Sequence, residues 1–484
     1  MADYEVVIIG AGAVGCAAAY VLSGHELNIA VMEKEADAAF GISGRNSGVV
    51  HAGFNNVPGS LKAKLCVEGS RRFEDLAMHL GVKYIKTGKY VTGFSDADRT
   101  ELERLLKQGK DNGVEGLEIV EGDRIREKYP EVKGNFALWS PQTGIFDPFE
   151  YTVKLAEKAH EMGAVFLFDS KLVKIEKEET GGFRLSYEKT VSGNPSKETG
   201  SITAKTVISC AGLYSAEICR MAGIDRFDIK PCRGEYHILE KKYSKMVNVP
   251  VYPVPDKEKG VLGVHLTPTV SGNMMIGPSA EFLDEKDDYS NDEGIMQLLK
   301  DGAEMLMPEL KDAAVIRSFS GIRPKLIDKE GKINADFVIE SSEECPGFIY
   351  LVGIESPGIT ASMPIAEMAA DLAVRTLGVK PVKNTWMNSA QKEVSDEPSY
   401  SPMVCRCEKV TERDILKAYD DIVKIGAVPT LKGIKNRTRV GMGSCQGSFC
   451  TVDIAEILRK YRNVDISEIT YDGAGSELFL GRLK

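Results

Sequence analysis

Residues 4–9, YEVVII, run straight into GAGAVG and then CAAAYVLSGH, and few local patterns leave a chain less choice of fold. The six-residue stretch is short, β-branched and without a polar face, the pattern of a buried strand. The alanine-rich stretch after the glycines has helical composition. Gly10 permits the tight turn between them, Gly12 lets a pyrophosphate approach the backbone, and Gly15 allows the helix to pack closely. Ala11, Ala13 and Val14 complete the loop, and the helix N-terminus offers unpaired N–H groups to phosphate. LNIAVMEKE follows as a second apolar strand ending at Glu33, where a ribose hydroxyl needs an acceptor, with Lys34 beside it. Strand, glycine turn, helix and acid together predict a dinucleotide-binding βαβ unit. They do not choose between NAD and FAD.

The length of 484 residues predicts two or three domains. A net charge of −10, with no basic stripe to offset it, argues against nucleic acid as a partner. No apolar run reaches the length that crosses a bilayer, so no transmembrane segment is expected. The early apolar run begins almost at Met1 without a basic leader and is broken by glycines. The expected location is cytoplasmic, or peripheral at the inner membrane through a partner.

GISGRNSGVVHAGF, residues 41–54, makes neither a good helix nor a good strand and lies just after the ribose acid. Such a segment wraps a long flavin dinucleotide with backbone groups and small side chains, which nominates Ser43, Arg45, Asn46, Ser47, Gly48 and Val49 as cofactor contacts. FLFDSKLVKI, residues 166–175, offers Val173 to an adenine. KTVISCAG, residues 205–212, reads as a strand ending in a small-residue turn at Ala211 and Gly212.

With RNSGVVHAG, PGSLKAKL (58–65), CRGEYHIL (232–239), GVHLTPTVSGNMMIGPSA (263–280), SGIRPK (320–325) and GIESPGITASMPIAE (353–367), the chain resembles the D-amino-acid-oxidase-like FAD family. Within that family it resembles the glycerol-3-phosphate dehydrogenases and oxidases and the L-2-hydroxyglutarate dehydrogenases. These pieces run in order through nearly the whole of the first 375 residues. The resemblance implies FAD and an α/β fold, with a Rossmann-type FAD-binding domain interleaved with an antiparallel-sheet substrate domain of α+β type.

Oxidising a secondary alcohol needs a base for the hydroxyl proton and a hydride acceptor, the flavin N5. A neutral imidazole suits the base. The resemblance places His51 beside the isoalloxazine ring, where the alternative role is to hydrogen-bond the flavin. A covalent flavin link is not predicted. A small anionic substrate calls for arginine's planar fork, and the resemblance places Arg323 over the substrate. Lys325 and Lys62 or Lys64 are further cations, each with a solvated lysine as the alternative. Arg233 and Glu235 alternate with Tyr236 along a strand, predicting an internal ion pair on one face and Tyr236 at the pocket on the other. His265 is either a second pocket histidine or a satisfied histidine in the sheet. SPGITAS introduces a helix. Gly353, Gly358, Ile359 and Thr360 are then expected around the flavin pyrimidine edge, where helix amides stabilise negative charge; a simple helix cap is the alternative.

Six of ten cysteines are scattered, whereas Cys405, Cys407, Cys445 and Cys450 form a CxC…CxxxxC set near the end. Four cysteines bind Zn²⁺ or an iron–sulfur cluster. Zinc knuckles use CxxC pairs, and glycines beside the sulfurs suit a [2Fe–2S] cluster better. VCRCEKVT…RTRVGMGSCQGSFC resembles the bacterioferritin-associated-ferredoxin-like [2Fe–2S] domain, which also ends the catalytic subunit of anaerobic glycerol-3-phosphate dehydrogenase. Within the spacer, TERDILKAYDDIV has helical spacing and an acidic first turn.

The expected organisation is an oxidoreductase at 1–378, a linker at 379–402, a small helical and loop [2Fe–2S] domain at 403–460 and a tail at 461–484 without a readable signature. Within 1–378, FAD binding falls at about 1–80, 145–225 and 330–378, and substrate binding at about 81–144 and 226–329. The expected reaction is oxidation of sn-glycerol 3-phosphate to dihydroxyacetone phosphate, with electrons leaving through the cluster to a partner flavoprotein or quinone-linked carrier. L-2-hydroxyglutarate is the alternative substrate, amine oxidation a third reading, and a non-catalytic electron-transfer subunit the alternative of a different class.

Overall fold

Tyr4–Ile9 lies at the centre of a sheet, paired in parallel with Ile29–Met32 on one side and Glu198–Ser209 on the other. The structure, a computed structural model, describes residues 2–190, 198–255, 263–328, 330–334, 336–380 and 401–479. Val165–Leu167 and Phe348–Val352 extend the parallel core at its two edges. An antiparallel hairpin, Ser170–Lys177 with Phe183–Lys189, pairs with the first half of Glu198–Ser209, and Val338–Ser341 closes the far edge. Side-chain alternation along the first strand fixes the layers. Val6 and Ile8 point into a core with the helices Ala13–Leu22, Pro148–Glu161 and Ser362–Leu377. Val7 and Ile9 point into a second core with the short helix Ser215–Met221. An all-apolar strand is the consequence of being covered on both faces.

Among the described residues a nine-stranded sheet forms the second layer. Its longest pair is Asp228–Leu239 with Val315–Ile327, antiparallel over their whole length. The sheet departs from the antiparallel expectation at one place, where Val251–Pro253 runs parallel to Lys89–Gly93. Helix Glu293–Leu306 packs with Tyr90 and Val251, and helix Asp96–Asp111 with Val91 and Leu138 on the opposite face. The strands of this sheet come from 89–140 and 228–327, the interleaving that the sequence suggests.

The connecting segment expected at 379–402 lies, from 381 to 400, outside the described residues. Beyond it, a hairpin of Met403–Cys405 and Val410–Thr411 leads into helices Glu412–Lys424, Leu431–Thr438 and Cys450–Arg462. The first of these is the helix expected in TERDILKAYDDIV; Thr411 and Asp414 form a reciprocal cap and Ile415, Ala418 and Ile422 are its buried face. That face does not form a separate core. Ile415, Ile422, Ile434 and Leu458 join the cluster that holds Ile8, Tyr151 and Leu155. Arg437 is buried in this seam, ion-paired with Asp37 and, at 3.2 Å, with Glu157. The tail docks too: the amides of Leu431 and Lys432 donate to the carbonyls of Thr470 and Tyr471 at 3.0 and 2.8 Å. Among the described residues no helix is long and apolar enough to cross a membrane.

Candidate active site

The cofactor end of the site follows from the first turn. Gly10 takes φ +103°, and a Cβ there would stand 2.8 Å from the carbonyl oxygen of Cys210. A Cβ on Gly15 would stand 1.9 Å from the Gly10 carbonyl oxygen, so the helix approaches as closely as the fingerprint implies. Ser43 Oγ accepts the Ala13 amide at 2.9 Å, tying the segment 41–54 to the helix start. Asn46 holds that segment's shape, donating to the Ser43 carbonyl at 2.7 Å and accepting from the Gly48 amide at 2.9 Å. Glu33 accepts the amides of Ala11 and Glu35 at 2.6 and 3.0 Å, and burial pushes its carboxyl above the usual range.

A cleft of about 940 Å³ runs from this end to the second sheet. Its walls include Gly10, Gly12, Ala13, Val14, Glu33 and Lys34 at one end, then Ser43, Arg45, Asn46, Ser47, Val49, Ala211 and Gly212. At the other end stand His51, Tyr236, His265, Arg323, Gly358, Ile359 and Thr360. Residues separated by more than 300 positions thus meet in one cavity, large enough for a dinucleotide with a small substrate beside it. The residues present fit FAD: a glycine turn at a helix N-terminus, a ribose acid, and a long apolar-walled trench.

Several expected contacts lie off the cleft wall. Val173 does not line the cleft and is 39% exposed; its strand carries a register shift between Leu172 and Lys174, and Lys171 and Leu172 take the wall position instead. Gly353 turns away and packs against Leu326. Ala11 and Gly15 lie behind the wall, where they shape the turn. Gly48 borders a smaller adjoining chamber of about 190 Å³. Lys325 is not a free cation, because Glu355 bonds it at 2.7 Å and Lys62 at 2.9 Å.

The expected ion pair of Arg233 with Glu235 is present at 3.5 Å, and Glu281 and Asp288 join it. Tyr236 takes the opposite face, stacked on Phe319 with ring centroids 4.9 Å apart. Arg323 donates from Nε to the Cys232 carbonyl at 3.4 Å and from Nη2 to the carbonyls of Arg233 and Ser279 at 3.3 and 2.7 Å. Those bonds fix the guanidinium without engaging Nη1. The His51 amide donates to Thr360 Oγ1 at 3.1 Å, and its Nε2 lies 3.4 Å from Ser356 Oγ. His265 lines the cleft and stacks on Tyr252 with centroids 3.3 Å apart. Tyr252, Tyr214 and Tyr289, the last lying under the Arg45 guanidinium at 4.2 Å, also line it and were not foreseen.

Behind this wall lies Lys89, 4% exposed, its ammonium 4.3 Å from the Tyr252 ring and 4.6 Å from that of Phe54. No carboxylate pairs with it among the described residues. Burial lowers its pKa from 10.5 to about 7. Burial, with the Lys89 charge adding to it, lowers His51 to about 3, so the imidazole is neutral at physiological pH. Because Lys89 titrates lower when folded than when unfolded, the unfolded chain binds the extra proton between pH 7 and 10.5, and stability rises with pH across that window. From pH 6 to pH 9 the wild type is expected to gain about 2–3 kcal/mol relative to Lys89→Met in chemical denaturation. Parallel pH–stability curves for the two proteins would refute an uncompensated buried charge.

The four clustered cysteines come together at the module's surface end. Cys407 and Cys445 lie with their sulfurs 3.9 Å apart, and the Cys450 thiol is turned toward Cys405. Burial pushes the Cys445 thiol up, but hydrogen bonds from the amides of Gly447 and Phe449, the Cys407 thiol and the Ser448 amide outweigh it, and the net shift is downward. Amide donors around a thiolate are the surroundings of an iron–sulfur ligand. Among the described residues no three ligating side chains close on a single point. Two thiol pairs suit two irons better than one zinc ion.

Residues 5–372 match the DAO family, FAD dependent oxidoreductase, and residues 403–460 match the BFD-like [2Fe-2S] binding domain. The chain is 33% identical to a glycerol 3-phosphate dehydrogenase from Caloramator mitchellensis, with 99% of each chain covered. It is 32% identical to the mitochondrial L-2-hydroxyglutarate dehydrogenase of Caenorhabditis elegans, over 77% of this chain and 93% of that one. An L-alpha-glycerophosphate oxidase from Mycoplasma pneumoniae with FAD bound superposes with a TM-score of 0.68 at 26% identity, covering 78% of this chain and 95% of that one. The trench, the paired thiols and these matches agree: the chain belongs to the FAD-dependent oxidoreductase family of DAO type and carries a BFD-like [2Fe–2S] domain at its C-terminal end.

Proposed function

We propose that this FAD-dependent dehydrogenase oxidises sn-glycerol 3-phosphate to dihydroxyacetone phosphate and sends the electrons through its [2Fe–2S] centre to a partner protein or quinone-linked carrier. The observation that carries this reading is that His51 and Arg323 line one end of the same cleft. The neutral imidazole of His51 takes the hydroxyl proton. Arg323, held by three carbonyls, turns its remaining N–H donors to the phosphate. Tyr236 and His265 border the same end and confine the substrate. FAD, when bound, supplies the acceptor for the hydride.

The similarity over both modules to a glycerol 3-phosphate dehydrogenase supports this substrate. A second reading, L-2-hydroxyglutarate, is favoured by the similarity of about three quarters of the chain to enzymes of that name. Anaerobic titration separates them. Bleaching of the flavin absorbance by glycerol 3-phosphate is the expected result. Bleaching by L-2-hydroxyglutarate alone would overturn the reading, and no bleaching by any small alcohol or amino acid would favour a non-catalytic electron-transfer subunit.

A further inference from the structure

The cleft is not walled by the oxidoreductase part alone. Lys432, at the start of helix Leu431–Thr438, and Asp472, in the tail, both line it. The two are brought there together. Backbone bonds join 431–432 to 470–471, and the Val428 amide donates to the Ala36 carbonyl at 3.1 Å, pinning the loop next to the segment that follows Glu33. Lys432 Nζ stands 4.1 Å over the Phe40 ring, in the stretch that leads from the ribose acid to Ser43. Its side chain is mostly buried; Asp472 is 3.9 Å away, and the Glu35 carboxylate also acts on it from the same cleft.

Arg45 lines the same cleft and makes no ion pair among the described residues; it rests on Tyr289 and donates weakly to the Ser320 carbonyl at 3.4 Å. Burial lowers the Lys432 pKa, and the neighbouring Arg45 charge lowers it further. Two cations that line one cleft and repel each other, offset at Lys432 only in part by Asp472 and Glu35, favour an anion between them. The adjoining backbone wall, Gly12 and Ala13 at a helix start, is where the fold receives a pyrophosphate.

We propose that the C-terminal module completes the cofactor site: Lys432, delivered by the [2Fe–2S] domain and braced by the tail, forms with Arg45 a two-cation clamp on the FAD pyrophosphate. The module is then part of what retains the flavin as well as an exit for its electrons. The tail acquires a task, since Tyr471 and Asp472 position Lys432.

The test uses the full chain, stripped of flavin and titrated with FAD by flavin fluorescence. Lys432→Met keeps the apolar stem and is expected to weaken FAD binding about ten- to fifty-fold, with iron content unchanged. Lys432→Arg should restore most of the affinity. Added salt should weaken wild-type binding more steeply than that of Lys432→Met, a difference that a merely structural lysine would not produce. Lys424→Ala, on the same module but paired at the surface with Glu161, serves as the control and should bind FAD like the wild type. Wild-type affinity in Lys432→Met, loss in Lys432→Arg equal to that in Lys432→Met, or equal salt slopes would each overturn the clamp.

Discussion

His51→Asn is expected to keep its FAD and to slow flavin reduction by glycerol 3-phosphate about 100- to 10,000-fold in anaerobic stopped flow. Asparagine preserves the backbone bond to Thr360 and a polar edge toward Ser356, so the loss isolates proton acceptance. The surroundings of His51 add a pH signature. Taking the proton turns the imidazole into a cation, which is costly beside a charged Lys89 and less costly once Lys89 is neutral. Wild-type flavin reduction should therefore accelerate as pH rises through about 7, the range where Lys89 loses its proton. Unchanged reduction in His51→Asn would remove the histidine as base.

The second large effect lies at the seam. Arg437 is 6% exposed and its partners Asp37 and Glu157 are 0% and 13% exposed. Arg437→Leu removes the cation and leaves the fully buried Asp37 carboxylate without its ion pair, while Glu157 keeps Lys154 at 2.8 Å; the change is expected to cost about 3–5 kcal/mol. Arg437→Lys should recover little, because a single ammonium cannot reproduce the fork that reaches both acids. Chemical denaturation of the full chain gives the comparison. A loss below about 1 kcal/mol for Arg437→Leu would mean that water already reaches the pair.

The sequence was most legible where function depends on residues close together in the chain. Gly10 to Gly15 and Glu33 sit within one βαβ unit, and the pairs Cys405–Cys407 and Cys445–Cys450 are short motifs with fixed chemistry. It was least legible where a wall is assembled from distant strands. Tyr252 and Lys89 meet because strand 251–253 pairs with strand 89–93, a contact that no local pattern announces. Lys325 was a plausible anion contact until Glu355, thirty residues on, neutralised it. Val173 falls on the exposed face of its strand, with Lys171 and opposite the buried Leu172, a facing that its apolar side chain alone does not reveal. Lys432 and Asp472 belong to a segment whose composition carries no sign of a cofactor contact.

The continuous apolar core linking Ile8, Leu155, Ile422 and Leu458 sets how electrons leave. Domains that ferry charge by swinging on a tether have small, wet interfaces that separate at little cost. Here any swing would expose the buried faces of three helices and break the Arg437 pairs. On the proposed electron route, the iron–sulfur module is thus a stationary relay rather than a swinging carrier. Its outer side presents Cys407 and the 81% exposed Phe449, and on that route an acceptor would have to come to this side.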